Sequence, residues 1–378
     1  MDVQTHLPLK HHFLQKLPSE EFTTEIFLKE DLLRDVEFFI KIKSLGSSFV
    51  LITDSVIEKL YSEAVIQSFG VQNIPLDQII ISTDEQYKTR ETKAYIEDRL
   101  LELRKGRDTV LIAFGGGVVS DITGFVASTY CRGIPYVTIP TTLLSMVDAS
   151  IGGKTSVNIG PYKNMIGTFY PPKILAMDPQ FLNSLCDIQW RNGTAEIIKY
   201  GLIADAEIIT TLTDKFTQWQ KRDLLLVTEI TKKCIEIKCN IVSKDPKEKG
   251  LRRALNFGHT VGHAIESLEN YTLGHGDAVA IGMCMESYIS MSLGKISAQD
   301  LSKILNLLVM FKFPLKLSKK ISLDNLEDLM SLDKKSTAEA TRFVILQGIG
   351  NVDSCHGAFC RSVNHSLLKE AFEWVNSL

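Results

Sequence analysis

Residues 108–130 read DTVLIAFGGGVVSDITGFVASTY, and this stretch decides the fold class. A continuous apolar run ends in Gly115, Gly116 and Gly117, and a helical pattern begins directly after them. Apolar runs without polar alternation are typical of strands buried on both faces of a parallel sheet. A glycine turn before a helix lets a pyrophosphate approach the backbone amides. Because Ser120 replaces the third glycine of GxGxxG, both a nucleotide site and a plain structural turn fit this pattern.

Three more apolar runs lie on either side of this stretch and are separated from it by helical patterns. They are SFVLITDS (48–55), IPYVTIPTT (134–142) and KILAMD (173–178). Strands alternating with helices favour a parallel sheet covered on both faces. We therefore predict an α/β domain over residues 1–180, with a Rossmann-like parallel sheet that binds NAD. Asp54, at the end of one run, fits either a ribose contact or a helix cap.

Beyond residue 180 the pattern becomes helical. Helical spacing of apolar residues is found over 230–241, 251–268, 276–293, 298–310 and 365–377. RFVILQGIGNVDS (342–354) predicts a hairpin with its turn at Gly348 to Asn351. These features predict a mostly α-helical second domain over residues 181–378 that binds metal and substrate. A cleft between two such domains is the natural place for an active site.

Length and composition limit the classes of protein. The 378 residues, 44% hydrophobic and 23% charged, suit two packed domains. A net charge of −3 argues against a nucleic-acid partner. We find no long uncharged apolar run and no signal-peptide pattern, and we expect no membrane partner. The seven cysteines form no CxxC pair, which indicates reduced thiols in a cytoplasmic protein.

The stretch IPTTLLSMVDASIGGKTSVN (139–158) combines glycines with polar side chains. We interpret it as a short loop system, continued by Lys163 and Asn164. A merely solvated loop would carry more charge and fewer glycines, and lysines beside glycines suit an anionic substrate. The residues of interest in the stretch are Thr141, Thr142, Asp148, Gly152, Gly153, Lys154 and Asn158.

Two later segments carry candidate metal ligands. GTAEIIKYG (193–201) places Glu196 and Lys199 one helical turn apart, as a surface salt bridge or as a buried pair. In LRRALNFGHTVGHAIE (251–266) a polar stripe runs along one predicted helix, formed by Arg252, Asn256, His259 and His263. His-x₃-His spacing presents two imidazoles to one zinc ion, and Glu196 and His275 could complete the set. Spacing alone leaves open which histidine stays outside it.

Taken together, these motifs resemble the 3-dehydroquinate synthase family, the sugar-phosphate cyclases of the shikimate pathway. The resemblance runs from about residue 50 to residue 335 and includes FGGGVVSDITGFVASTYCRG, IPTTLLSMVDASIGGKTSVN, KNMIGTFYPP, GTAEIIKYG, LRRALNFGHTVGHAIE, LGHGDAVA and DKK at 333–335. It implies conversion of 3-deoxy-D-arabino-heptulosonate 7-phosphate to 3-dehydroquinate and phosphate, for aromatic amino acid biosynthesis. It also implies NAD, a divalent metal (zinc first, cobalt also) and a cytoplasmic homodimer.

The resemblance also implies roles for individual residues. It implies that the metal ligands are Glu196, His259 and His275, while His263 faces the substrate. The implied substrate contacts are Arg132, Asp148, Lys154, Asn164, Lys199, Lys238, Arg252, Asn256, His263 and Lys334. Arg132 would reach the site of a neighbouring subunit. The implied NAD contacts are Asp54, Glu85, Lys88, Gly116, Gly117, Asp121, Thr141, Thr142 and Lys163. One departure is that Asp84 stands before Glu85, where the family usually has glycine.

Three alternatives share parts of this pattern. Other sugar-phosphate cyclases keep the zinc and NAD residues but alter the substrate-facing helix, and Asn256 within the intact NFGHTVGH favours 3-dehydroquinate synthase. Metal-dependent glycerol or alcohol dehydrogenases share the architecture but lack the cationic set of Lys154, Lys199, Lys238 and Arg252. A non-catalytic scaffold would need neither the metal ligands nor these cations.

Overall fold

The computed structural model describes residues 11–16, 23–82, 84–160, 162–269, 272–317, 321–333 and 341–378. They divide into two compact units. The first unit comprises the described residues of Met1–Ile159, Asn164–Leu185 and Val227–Lys232. The second unit comprises those of Gly160–Lys163, Cys186–Leu226 and Lys233–Leu378. The main change of unit along the chain thus follows Leu185, close to the boundary predicted at residue 180.

The described residues form eleven strands. Their bounds are β1 His11–Lys16, β2 Thr23–Leu28, β3 Ser48–Asp54, β4 Leu76–Ile81, β5 Thr109–Gly115, β6 Tyr136–Pro140, β7 Lys154–Ile159, β8 Tyr162–Phe169, β9 Ile174–Met177, β10 Arg342–Phe343 and β11 Arg361–Ser362. Seven of them build one sheet in the order β1-β2-β9-β6-β5-β3-β4. β1 is antiparallel to β2, and all other pairs in this sheet are parallel. The predicted parallel sheet is confirmed.

Helices connect these strands and then dominate the rest of the chain. Their bounds are α1 Val36–Lys43, α2 Ser55–Val71, α3 Arg90–Glu102, α4 Gly117–Thr129, α5 Asp187–Ile203, α6 Ala206–Asp214, α7 Phe216–Gln220, α8 Leu224–Lys244, α9 His259–Leu268, α10 His275–Ser292, α11 Ala298–Met310, α12 Leu323–Asp333 and α13 His365–Ser377. After β9 the described chain is almost entirely helical, so the predicted mostly α-helical second part is also confirmed.

The core of the first unit lies where its central strands meet α4. Every residue of β5 is buried, which explains its unbroken apolar sequence. Leu111 of β5 packs in one buried cluster with Val50 of β3 and with Ile122 and Val126 of α4. Each such side chain contributes roughly 1.5–3 kcal/mol of stability when fully buried. The glycine turn between β5 and α4 is therefore fixed on both sides by packed elements.

The interpretation of residues 139–158 as one loop system is wrong at its C-terminal end. β7, which begins at Lys154, pairs with β8 in a separate two-stranded sheet. A Cβ added to Gly167 of β8 would lie 1.9 Å from the Thr155 carbonyl oxygen, so glycine is what lets these strands approach. The sequence pattern did not reveal this pairing, because polar Lys154 and Asn158 flank a short buried run, Thr155 to Val157.

The predicted continuous helix over 251–268 is also wrong. A short 3-10 helix over Leu251–Asn256 is followed by a break at Phe257 and Gly258, and α9 starts only at His259. Gly258 has φ +76°, a conformation that favours glycine. A Cβ added to Gly258 would lie 2.8 Å from the carbonyl oxygen of Val279 in α10. A Cβ added to Gly282 of α10 would lie 1.9 Å from the carbonyl oxygen of Gly258. Close contact with α10 therefore ends the helical path, and the polar stripe does not lie on one helix.

The predicted hairpin over 342–354 forms between residues 345 and 353, where the Asp353 amide donates to the Ile345 carbonyl at 2.8 Å. The Gln347 amide donates to the Asn351 carbonyl at 2.9 Å, and a single bridge joins Leu346 to Val352. The strand β10 pairs instead with β11, beyond the predicted segment. Among the described helices, none combines the length and the apolar character needed to cross a bilayer. The seven cysteines are free thiols.

Candidate active site

A carboxylate and two imidazoles converge in the second unit. Glu196 lies within α5, and His259 and His275 are the first residues of α9 and α10. The Glu196 Oε1 atom is 3.2 Å from His259 Nε2 and 3.3 Å from His275 Nε2. One ligand atom from each of the three residues lies within 4.8 Å of the others. We call these three residues the metal set, since their spacing suits a shared ion.

The outer nitrogen of each imidazole already has a partner. His259 Nδ1 is 3.0 Å from the Phe257 carbonyl oxygen, and His275 Nδ1 is 3.3 Å from Glu266 Oε1. Acceptors at these positions favour the tautomer with hydrogen on Nδ1, which leaves the Nε2 lone pairs directed at Glu196. Acceptor atoms that face one another repel unless a proton or cation lies between them. Two histidines and one carboxylate are a donor set that fits zinc or cobalt and leaves a coordination position open.

The protonation states of the metal set determine how it binds a cation. Burial alone would raise the pKa of Glu196, but Lys199 and then His259 hold that pKa well below its usual range, so the carboxylate is charged. Burial lowers the pKa of His259 and favours its neutral form. Burial also opposes the charge on His275, yet Glu266 and Glu196 together outweigh it and raise the pKa of His275 to about 10. A metal ion that binds here therefore displaces a proton from His275.

The start of α10 is fastened to α5, which fixes His275 relative to Glu196. The Gly276 amide donates to Asn192 Oδ1 at 2.8 Å, and Arg191 Nη2 is 2.6 Å from Asp277 Oδ2. A Cβ on Gly276 would lie 2.7 Å from the Cα atom of Asn192. The two helices can make this contact only because residue 276 has no side chain.

His263, one turn along α9, lies beside the metal set without joining it. Its ring centroid is 5.3 Å from that of His259 and 6.4 Å from that of His275. Spacing in the sequence had left open which histidine stays outside the set. In the structure the ligand atoms that converge on Glu196 are those of His259 and His275.

The second unit also buries cationic side chains. Lys199, Lys238 and Arg252 are between 1% and 5% exposed, and Lys199 contacts Glu196, so their pairing is buried and not a surface salt bridge. Arg252 Nη1 donates to the Pro246 carbonyl at 2.7 Å. The Asn256 amide donates to Glu248 at 2.6 Å. Cationic side chains at such positions can bind an anionic ligand by charge-assisted hydrogen bonds.

A second charged cluster lies in the first unit. The ammonium group of Lys88 contacts Asp121, and it donates to Asn164 Oδ1 at 2.6 Å. Lys88 is 4% exposed, and Ser156 also donates to Asn164. We call Lys88, Asp121 and Asn164 the Lys88 cluster. Lys88 and Asp121 are implied NAD contacts, and Asn164 is an implied substrate contact.

Asn158 connects this cluster by hydrogen bonds to residues near Lys88 and Asn164. Its amide nitrogen Nδ2 donates to Glu85 at 2.8 Å, and its backbone amide donates to the Lys88 carbonyl at 2.7 Å. Its Oδ1 atom accepts from the Asn164 amide at 3.0 Å. The sequence had shown Asn158 only as a polar loop residue. Its contacts with residues far along the chain have no sequence signal.

The glycine turn has the geometry of a nucleotide site. Gly116 caps α4, and a Cβ added to it would lie 3.1 Å from the Thr142 methyl group. The Thr141 amide donates to the Gly115 carbonyl at 3.0 Å, which holds the two adjacent strand ends together. Asp54 lies beside the turn, where its Oδ1 atom accepts from the first amides of α2. The helix-cap interpretation of Asp54 is thus observed.

The other predicted residues are more dispersed. Asp148 belongs to a π-helical turn over Ser145–Ala149, and Lys154 is exposed at the start of β7. Arg132 is exposed and has φ +68°, directly after Cys131 with φ +51°. Lys334 lies outside the described residues. Asp84, where the family usually has glycine, has φ +75° and ψ 151°.

Lys163 and Glu266 form an ion pair that the sequence did not indicate. Lys163, an implied NAD contact, belongs to the second unit, where its Nζ atom is 3.0 Å from Glu266 Oε1. Glu266 was not singled out at all, although it also contacts His275. The available signal was its position at the end of LRRALNFGHTVGHAIE, two helical turns after His259.

A parallel sheet with a glycine turn, followed by a helical unit with a Glu-His-His set, defines a class of metal-dependent enzymes with a Rossmann-like nucleotide domain. Two family models match the chain, 3-dehydroquinate synthase N-terminal over residues 78–192 and 3-dehydroquinate synthase C-terminal over residues 193–336. The chain belongs to the 3-dehydroquinate synthase family.

Individual relatives agree with this membership. The 3-dehydroquinate synthase of Thermodesulfovibrio yellowstonii is 42% identical over 310 residues, which cover 82% of this chain and 86% of that protein. That of Nitrosomonas europaea is 42% identical over 306 residues, 81% of this chain and 83% of the relative. The similarity therefore extends through both units.

Solved structures show the same fold. ValA, a 2-epi-5-epi-valiolone synthase from Streptomyces hygroscopicus subsp. jinggangensis with NAD⁺ and Zn²⁺ bound, has a TM-score of 0.87 and 26% identity, covering 96% of this chain and 99% of its own. A 2-deoxy-scyllo-inosose synthase has a TM-score of 0.81 at 23% identity, with the same coverage of 96% and 99%. The second likeness concerns the fold alone.

Proposed function

We propose that this chain is an enzyme that converts 3-deoxy-D-arabino-heptulosonate 7-phosphate into 3-dehydroquinate and phosphate. The observation that carries the proposal is the convergence of Glu196, His259 and His275 in a chain of this family. The 42% identity to named 3-dehydroquinate synthases supports this substrate over those of other cyclases. A scaffold would have no use for a buried donor set of this kind.

The reaction is neutral in oxidation state overall. Oxidation of the C5 alcohol to a ketone acidifies the neighbouring C6 proton, so that a base removes it while the C–O bond to phosphate breaks. Reduction of the resulting enone restores the alcohol, and ring opening with intramolecular aldol closure gives the product. NAD and a divalent metal, when bound, supply the reversible electron acceptor and the Lewis acid for this chemistry.

The protein groups proposed to hold these cofactors fit them. Glu196, His259 and His275 would hold the metal through one oxygen and two Nε2 atoms, which already lie close together. The glycine turn at Gly116 and Gly117 would hold the NAD pyrophosphate at the start of α4. The other proposed NAD contacts are Asp54, Glu85, Lys88, Asp121, Thr141, Thr142 and Lys163.

Cationic and amide side chains are proposed to hold the substrate anions. Lys154, Lys199, Lys238 and Arg252 would bind the phosphate and carboxylate by charge-assisted hydrogen bonds. Asn164 and Asn256 would help to bind these anions, and Asp148 and His263 would orient the hydroxyl groups and carry protons. The presence of three cationic side chains, Lys199, Lys238 and Arg252, at buried positions of the second unit supports these roles. Lys334 completes the proposed set.

The assembly and location of the enzyme are proposed from the family. We infer a cytoplasmic homodimer in which Arg132 reaches the site of a neighbouring subunit. The exposed position of Arg132, in a left-handed backbone conformation, supports a role outside its own unit. Free thiols on all seven cysteines are compatible with a reducing compartment.

A coupled assay tests the proposed reaction. Purified enzyme with zinc is mixed with the heptulosonate phosphate, with and without NAD⁺, and phosphate, NADH and 3-dehydroquinate are measured. We expect phosphate and 3-dehydroquinate in equal amounts, dependent on NAD⁺, without net NADH. Accumulating NADH would instead identify a dehydrogenase. Turnover of a sugar phosphate without a carboxylate, but not of the heptulosonate, would identify another cyclase.

Lys154→Ala tests the anion contacts. Loss of a hydrogen bond to a charged group costs about 1.5–3 kcal/mol, so kcat/KM for the heptulosonate phosphate should fall about 10- to 100-fold. NAD⁺ affinity, measured by calorimetry, should be unchanged. Lys59→Ala, which removes an exposed lysine of α2, is the control and should leave both values intact. Weakened NAD⁺ binding with normal turnover would contradict the role of Lys154.

A further inference from the structure

We propose that Glu266 is a positioning residue for the metal set, which holds the His275 imidazole with its Nε2 atom directed at Glu196. Lys163 in turn holds the Glu266 carboxylate. This role rests on the proposed function, since it assumes a metal-dependent enzyme. The proposed chemistry gives Glu266 no role and lists Lys163 as an NAD contact. The positioning role concerns both residues.

The contacts form a continuous chain within the second unit. The Glu266 Oε1 atom is 3.3 Å from His275 Nδ1 and 3.0 Å from Lys163 Nζ, and His275 Nε2 is 3.3 Å from Glu196 Oε1. The side chains of Glu266 and Lys163 are 4% and 10% exposed. An ion pair buried to this degree has little freedom to exchange partners with water. The carboxylate is therefore held where the imidazole needs it.

Glu266 suits this task because of its place on α9. It lies seven residues, or two helical turns, after His259, so both side chains project from the same face of the helix. α9 thus carries one metal ligand, His259, and the group that orients another ligand, His275. Because both residues belong to one helix, the positions of His259 and Glu266 relative to each other are fixed. The helix that carries His259 therefore also orients the ring of His275.

The two histidines of the metal set are oriented in different ways. His259 Nδ1 contacts a backbone carbonyl, that of Phe257, which no substitution removes. His275 Nδ1 contacts a side chain, Glu266. A carboxylate at the outer nitrogen fixes the tautomer and the ring orientation, and makes the imidazole a stronger ligand. Metal affinity should therefore depend on Glu266 through His275.

Zinc affinity of the purified chain tests this role. Competition with a chromophoric chelator at fixed pH measures the zinc Kd of the unmodified chain, Glu266→Ala and Glu266→Gln. We expect Glu266→Ala to weaken zinc binding about 10- to 100-fold. Glu266→Gln should lose less, because its amide oxygen can still accept from Nδ1. Lys163→Met should weaken zinc binding by a smaller factor than Glu266→Ala.

Glu370→Ala is a matched control. Glu370 also accepts a hydrogen bond from a ring side chain of α10, Tyr288, at 2.6 Å. Tyr288 lies thirteen residues after His275, roughly 20 Å along the helix. Glu370→Ala should leave the zinc Kd unchanged. The Co²⁺ absorption spectrum gives a second readout, and its visible bands should shift in Glu266→Ala but not in Glu370→Ala.

The outcomes separate this role from the proposed function. If the unmodified chain binds no zinc, the proposed function fails. If it binds zinc and Glu266→Ala binds equally well with an unaltered cobalt spectrum, the positioning role alone is refuted. Should Glu266→Ala not fold, as judged by circular dichroism, Glu266→Gln decides the question: an unchanged Kd and cobalt spectrum would refute the role, and a weakened Kd would support it.

Discussion

Two charged clusters described above, the Lys88 cluster and the metal set, differ in how their atoms pair with one another. The Lys88 cluster places one cationic donor between two acceptors, Asp121 and Asn164. The metal set directs two imidazole nitrogens at one carboxylate oxygen, and all three atoms are acceptors when deprotonated. Lys88 and Glu196 are both buried, so a charge on either is costly without a partner. The Lys88 cluster contains its own cation, whereas the metal set can bind a metal ion in place of its protons.

Among the substitutions that test this contrast, His259→Ala should have the largest effect, which is on kcat/KM. It removes one of two nitrogen ligands, and the metal contributes several kcal/mol to reactions of this kind, so kcat/KM should fall about 10³-fold or more. Zinc content and phosphate release are the measurements. His365→Ala, at an exposed histidine of α13, is the control and should change neither. A variant that keeps full zinc content and full turnover would remove His259 from the metal set.

Lys88→Met should affect folding more than metal binding. The substitution leaves Asp121 and Asn164 without their common donor, and since Asp121 is 16% exposed we expect a loss of about 2 kcal/mol in the free energy of unfolding. Urea titration measures this, and zinc affinity should stay unchanged.

The pair of Lys105 and Asp77 provides the control for that experiment. Lys105 belongs to the same unit, but Asp77 is 43% exposed, so Lys105→Met should cost about 0.5 kcal/mol. Equal losses for Lys88→Met and Lys105→Met would mean that the Lys88 cluster is no more important than a surface ion pair.

Asp84→Gly should have the smallest effect and the opposite sign. Asp84 has φ +75° and ψ 151°, a region that essentially only glycine occupies without strain of about 1–3 kcal/mol. Glycine relieves this strain but costs about 0.5–1 kcal/mol of chain entropy. We expect a net gain of about 1 kcal/mol in urea unfolding.

Asn73→Gly separates strain from flexibility at that position. Asn73 has φ +55°, which asparagine tolerates, so its replacement should bring no gain. A similar gain at both positions would contradict the strain at Asp84.

Much of the fold could be predicted from the sequence because its signals are local. The apolar run before Gly115 and the helical spacing of 276–293 each depend on residues within one element. The break at Gly258 could not be predicted, since it depends on a backbone contact with Gly282, which lies in another helix. β7 escaped prediction for a similar reason, because its partner β8 is what makes its polar ends compatible with a strand.

The candidate site was predictable in its composition but not in its geometry. Spacing indicated that histidines of residues 259–275 bind a metal, and the family resemblance implied which two. The orientation of each ring depends on the partner of its Nδ1 atom, and Glu266 can be recognised as such a partner only in three dimensions. The same holds for Asn158, whose contacts Glu85 and Lys88 lie about seventy residues earlier in the chain.

The contact between Gly258 and Gly282 has a consequence for how the metal set responds to heat. Side chains at a helix interface exchange rotamers as temperature rises, and the helix separation drifts with them. Where two main chains touch directly, there is no rotamer to exchange. The distance from the start of α9 to α10 is thus limited by van der Waals contact between two main chains, and it should change little as the temperature rises.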